Sequence, residues 1–276
     1  KENIEMKKLL KKIFILRRIK DGLYATKYFN KKYFQILRWT LNSREDTNYT
    51  YDLTDQNLDE LYKLLESIFN INYSQAEKYS NELLNNVILK TYLSTKIKSS
   101  NFKRFADKEI KFSRRIGWYI IARIIKPKLI IETGVDKGMG SVILTEAIIK
   151  NKLEGYEGEY IGTDINPNAG YLFDEIYSEN GKILYGDSIE SLKKLNAKID
   201  LFINDSDHSA EYEKKEYETI LSKLHKNSVI LGDNSHSTSE LLNFSIKNNR
   251  SFVLFKERPK SHWYPGAGIG ISYTKK

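Results

Sequence analysis

The sequence predicts an α/β fold, a mostly parallel, doubly wound sheet over residues 111–276 preceded by a helical region over residues 1–110. Three observations carry this. Apolar residues in the first part recur every three or four positions. From about residue 111, short β-branched runs alternate with helical ones. The last two of these runs are joined by the loop "KERPKSHWYPGA" alone, so without a crossover helix they pair antiparallel.

In the helical region, "QNLDELYKLLESIF" and "SQAEKYSNELLNNVIL" have the helical period, with Asp55 and Ser74 as expected caps. "RRIGWYIIARI" is a third helix, stopped by Pro127. There follow the strand "LIIET", a helix from about Ser141 to Lys152, "EYIGTDI", a helix near 169–178, "KILYG", a helix near 188–195 and "IDLFIND". A helix near 210–224, "SVILGD", a helix near 237–247, "SFVLF" and "GIGISYT" complete the series.

With 276 residues, 40% of them hydrophobic, the chain buries a full core. Cysteine is absent, which excludes disulfides and thiolate metal sites. No run approaches 18 apolar residues, and "LLKKIFILRRIK" is too short and too basic to span a membrane or lead secretion. The expectation is a cytoplasmic protein, held at a membrane periphery if its basic start meets lipid.

The formal charge of +9 is local. Residues 1–40 hold 12 Lys and Arg against 3 Asp and Glu, whereas the remainder is balanced, so a nucleic-acid partner is not expected. In the basic segment Leu9, Leu10, Ile13, Leu16 and Ile19 fall near helical spacing. Such a stripe packs on its own domain with a solvated basic face, or lies on an anionic membrane or a partner protein. Homo-oligomerisation stays open.

In an open α/β sheet, ligands sit at the carboxyl ends of the strands. The first strand leads into "ETGVDKGMGS", with Glu132, Gly134, Gly138 and Gly140 before a helix whose free N–H groups face the crevice. The spacing is not that of dinucleotide binders. The second strand ends at Asp164, placed to accept from a ribose diol, and the third at Asp187. Each aspartate taken singly also reads as a helix cap.

With these residues the chain resembles class I S-adenosylmethionine-dependent methyltransferases, over roughly residues 112–276. The resemblance implies a Rossmann-like seven-stranded sheet of order 3-2-1-4-5-7-6 with the last strand antiparallel. It implies that Glu132, Gly134 and Gly138 serve the methionine side of S-adenosylmethionine, Asp164 the ribose, and Asp187 with Ser188 the adenine, with Ser141 also binding the cofactor. "ETGVDKGMGS" lacks the second glycine of the commonest form. It is similar to the variant in macrocin O-methyltransferase and cephalosporin hydroxylase relatives.

"IDLFIND" and "SVILGDN" are neighbours in this order, so Asp205 converges with Asp233 and Asn234. Oxygen ligands suit Mg²⁺ or another hard divalent cation. The set resembles the Asp…Asp-Asn ligands of catechol-type O-methyltransferases, and the D-x-x-H from Asp205 to His208 resembles macrocin-type enzymes with a histidine base beside the metal. The competing reading has Asp205 and Asp207 capping the helix that starts at Ser209, with His208 on the surface. His236 is a helix cap or a pocket residue. His262 and Trp263 stack on a sugar ring or anchor a surface loop.

The expectation is a metal-dependent O-methyltransferase acting on a hydroxyl of a sugar, glycan or polyhydroxylated metabolite, with His208 and Asp205 catalytic. The alternatives are a hydroxylase-like relative and a non-catalytic binding protein in glycan assembly or at a membrane. Failure of every acceptor would favour the last.

Overall fold

The structure, a computed structural model, describes residues 14–44, 50–104, 106, 109–233 and 235–275. Leu9, Leu10 and Ile13 of the basic stripe, and Asn234, lie outside the described residues. A long helix α1 (Phe14–Asn42) comes first. Three helices follow: α2 (Asp55–Phe69), α3 (Tyr73–Leu84) and α4 (Val87–Ser99).

Local chemistry moves the expected caps by one or two residues. Thr54, not Asp55, is extended at the N-cap of α2, and its hydroxyl accepts from Asn57 N at 3.3 Å. Asn72 precedes α3. The run expected as one helix over 74–89 divides at Asn85 and Asn86, because the Asn86 side chain accepts from Leu89 N at 2.9 Å and so starts α4.

Helix α5 (Arg115–Ile125) ends at Lys126 in the left-handed region (φ 49°), just before Pro127. Strand β1 (Leu129–Thr133), helix α6 (Met139–Leu153), β2 (Glu159–Asp164) and β3 (Gly181–Tyr185) come next. The helix expected near 169–178 is a loop with a 3₁₀ segment at Glu175–Asn180. Gly170 there has φ +81°, and Asp174 accepts from Glu175 N, so the backbone turns instead of winding. Helix α7 (Ser188–Lys194), β4 (Ile199–Asn204), α8 (Ala210–Ile220), β5 (Leu224–Asp233), α9 (Glu240–Lys247), β6 (Ser251–Lys256) and β7 (Gly268–Tyr273) complete the order.

The seven strands run β3-β2-β1-β4-β5-β7-β6, with β7 antiparallel to both neighbours and every other pairing parallel. Buried residues alternate between the faces. Ile130, Leu201, Ile203, Leu231 and Ile269 join one core with α2 to α6, while Leu129, Ile131, Phe202 and Ile230 join another with α8 and α9. The helical region shares the first core, as Leu61, Leu65, Leu83, Leu89 and Leu93 are fully buried within it.

A second tie is polar. Thr54 N donates to Arg258 O at 3.0 Å, and the Asn57 side chain bonds Lys256 O (3.0 Å) and Arg258 N (2.8 Å). Buried Tyr51 donates its hydroxyl to Glu257 Oε2 at 2.8 Å, and that oxygen also accepts from Ala267 N at 2.9 Å. Residues 51–57 thereby hold the loop between β6 and β7 against the strand ends.

Candidate active site

At the carboxyl ends of β1, β2, β3 and β4 lies a crevice of about 680 Å³, within the range of small-molecule sites. Gly134, Asp164, Asp187, Ser188, Asp205 and His208 all line it. The sequence separates these residues by up to 74 positions, and the parallel strand register brings them to one edge.

Gly134 is needed at the turn after β1. Its φ is +83°, and a Cβ there would come within 2.0 Å of the Asp205 carbonyl oxygen. Gly138, φ +91°, starts α6, and a Cβ on it would meet the Gly170 backbone at 3.1 Å. Three residues expected at the methionine side are not on the crevice wall. Gly138 packs on Gly170, while Glu132 and Ser141 are buried behind it. The Glu132 carboxylate accepts from the Tyr160 hydroxyl and, at 3.3 Å, from Ser141 Oγ.

Asp164 Oδ2 accepts from Asp136 N and its Oδ1 from Asn166 N, each at 2.8 Å, which fixes the carboxylate at the mouth. Asp187 caps α7 by accepting from Glu190 N and also faces the crevice. Tyr212, from α8, bonds Ser188 Oγ at 2.9 Å. Asp207 Oδ1 accepts from Ser209 N at 2.8 Å, a local turn that precedes α8.

Behind these loops sits Glu216, fully buried on α8. Its carboxylate accepts from Ser206 Oγ (2.8 Å), Thr133 Oγ1 (3.2 Å), Ser188 Oγ and Asn204 Nδ2, tying together the ends of β1, β4 and the start of α7. Burial pushes Glu216 and Glu132 up to about 7. The folded protein therefore keeps protons that the unfolded chain releases near 4.5. Their contribution to stability is complete below that pH and is lost as pH rises through about 7. In urea denaturation, Glu216→Gln is expected to flatten the fall in stability over this window by up to about 1.4 kcal/mol per pH unit. An unchanged slope would show that Glu216 ionises freely in the folded state.

At the β4–β5 end of the crevice, Asp205 and Asp233 meet beneath Arg114. Asp233 is fully buried; its Oδ1 accepts from Arg114 Nε, and Arg114 Nη2 lies 3.9 Å from Asp205 Oδ1. Burial and the neighbouring Asp233 hold Asp205 well above the usual carboxylate range. Burial also opposes the charge of Asp233, but the Arg114 guanidinium outweighs it and keeps that group low. Arg114 and Arg115 both act on this pair of carboxylates, and burial opposes charging them together. Asp205, His208 and Asp233 can each bring a ligand atom within 4.8 Å of the others. The donor set thus fits a hard divalent cation.

His208 stands between two acids, its Nε2 3.7 Å from Asp205 Oδ1 and its Nδ1 3.8 Å from Glu213 Oε1. Glu213 is buried and accepts from Thr238 Oγ1. The neighbouring Glu213 carboxylate raises the His208 pKa above 6.5. His236 is exposed near this end, and burial with the charge of Lys256 lowers its pKa. His262 stacks on Trp263 (centroids 5.9 Å apart), and Trp263 meets Tyr264, which lines the crevice.

Among the crevice residues that carried no functional expectation from sequence are Arg114, Arg115, Tyr212 and Tyr264. A signal existed for the first two, since "SRRIG" places paired arginines at the start of the helix that precedes the first strand. Arg115 is buried, and its Nε has no hydrogen-bond partner.

Residues 131–235 match the family model described as a methyltransferase domain. No curated protein matches the chain by sequence. Among solved structures the chain is similar to cofactor-bound Rv0187 from MTB, with TM-score 0.52 and 11% identity, covering 71% of this chain and 96% of that one. It is also similar to a methyltransferase from Geobacter sulfurreducens (TM-score 0.50, 15% identity, 67% and 90% covered). A third is the SAH-bound Podospora anserina methyltransferase PaMTH1 (TM-score 0.49, 17% identity, 75% and 97% covered). At these identities the structural likeness is one of fold.

Proposed function

We propose that this chain, whose residues 131–235 match a methyltransferase-domain model and whose sheet has the class I order, transfers the methyl group of S-adenosylmethionine to a hydroxyl oxygen. The acceptor we favour is a sugar, a glycan or another polyhydroxylated metabolite. One observation carries this reading: a single crevice has Asp164 and Asp187 towards one end and the Asp205–His208 pair at the other.

In this reading Asp164 accepts from the ribose hydroxyls, and Asp187 with Ser188 flanks the adenine. Arg115 lines the crevice, and its guanidinium suits the carboxylate of the methionine half. The acceptor hydroxyl lies beside Asp205 and His208. Its oxygen attacks the sulfonium methyl carbon, the C–O bond forms as the C–S bond breaks, and sulfur leaves as a neutral thioether. Glu213 directs Nδ1 of His208, so the lone pair on Nε2 takes the proton. Asp205 and Asp233 would hold a divalent cation, which when bound stabilises an alkoxide. Tyr264, Trp263 and His262 form an aromatic rim that supports the preference for a sugar ring.

Calorimetry tests the cofactor half. Asp164→Ala leaves the ribose diol without its acceptor, worth about 1–3 kcal/mol, so affinity for S-adenosylmethionine is expected to weaken about five- to 150-fold. Equal affinity of the parent protein for NAD would overturn the assignment.

A further inference from the structure

Helix α1 spans 29 residues, about 43 Å, and touches the body through its C-terminal end. There Trp39 meets Trp263 and His262 edge-on, with ring centroids 5.3 and 6.4 Å apart. Most of the rest of its apolar surface is open: Ile15 is 61% exposed, Leu23 67%, Phe34 67% and Leu41 82%. At 100° per residue, Ile15, Ile19, Leu23, Leu37 and Leu41 fall within an arc of about 80°, and on one side of it Lys20, Lys27, Lys31 and Arg38 cluster in a second arc of about 40°.

The helix carries seven Lys or Arg against one Asp, so two copies packed face to face would set like charges together. An anionic surface answers both features, taking the apolar stripe into its headgroup boundary and the lysines onto its phosphates. Among the described residues no helix is long and apolar enough to cross a membrane, so the contact is in-plane.

We infer that α1 docks this protein on an anionic lipid bilayer. The Trp39–Trp263–Tyr264 ring contacts join the docked helix to the rim of the crevice. The inference does not depend on the methyl-transfer reading.

The test is cosedimentation of the full chain with vesicles of phosphatidylglycerol mixed into phosphatidylcholine, against phosphatidylcholine alone. Binding is expected to the anionic vesicles only and to weaken with added salt. Each basic residue at such a surface strengthens binding about fivefold, so Lys20→Glu with Lys27→Glu is expected to weaken it at least about 25-fold. Ile19→Asp with Leu23→Asp is expected to abolish it. All four side chains are exposed, so the melting temperature and the calorimetric affinity for S-adenosylmethionine should not move in either variant. Failure to bind, equal binding to neutral vesicles, or unaltered binding by both variants overturns the inference. So does self-association of the parent chain that the apolar substitutions remove without any lipid binding.

Discussion

Replacing His208 by alanine is expected to lower methyl transfer by about 10²–10⁴-fold at neutral pH while leaving cofactor affinity unchanged. His208 lies on the crevice wall, its Nε2 beside Asp205 and its Nδ1 towards buried Glu213. Because Glu213 raises the His208 pKa above 6.5, the parent enzyme should slow as pH falls through that raised value, when the base becomes protonated. The variant should lose that inflection, and its residual rate should climb with pH as hydroxide replaces the missing base. Metal dependence is separable in the same assay. Chelation should stop turnover, and Asp205→Asn should be partly rescued by high Mg²⁺, whereas added metal should not rescue His208→Ala. A His208→Ala enzyme of full activity would transfer the proton's destination to another group. Full activity after chelation would remove the metal from the reading.

The second large effect concerns stability. Asp233→Ala removes the partner of Arg114 from a site with almost no access to water. Breaking a buried pair from one side costs about 3–5 kcal/mol. Asp205, 3.9 Å from Arg114, can ionise and take over part of the guanidinium, so the expected loss is at the low end, about 3 kcal/mol. Urea denaturation of the chelated protein measures it. Pairing Asp233→Leu with Arg114→Met should recover most of the loss, because neither charge is then left unpaired. If the double variant is no more stable than Asp233→Ala, packing and not charge accounts for the cost.

How far the sequence could be read follows from what each residue depends on. Alternating strand and helix periods fix which residues end strands, so Asp164, Asp187, Asp205 and Asp233 could be placed at one edge from sequence. The strand order followed from the resemblance and the missing crossover between β6 and β7. Arg114 was not legible in this way. Its role depends on α5 delivering the residue before its first turn across β4 and β5, which no local pattern encodes. Glu213 and Glu216 look like surface charges in "EYEKKEYETI", yet both are buried because α8 lies against the strand ends. Glu132 shows the converse. A strand-end acid reads as a ligand, but Tyr160 and Ser141 claim it from behind.

The bond from Tyr51 to Glu257 crosses 206 positions of chain. During synthesis at about 5–20 residues per second, Tyr51 leaves the ribosome roughly 10–40 s before its acceptor exists. Leu53 pairs with Pro259 over a similar interval, and Leu61 and Leu65 share a core with Ile269 and Ile271. The amphipathic helices of residues 55–99 are therefore made early and buried late. A stalled or shortened nascent chain would present their apolar faces to solvent or to a holdase chaperone, and the final closure waits on β7, whose arrival completes the shared core.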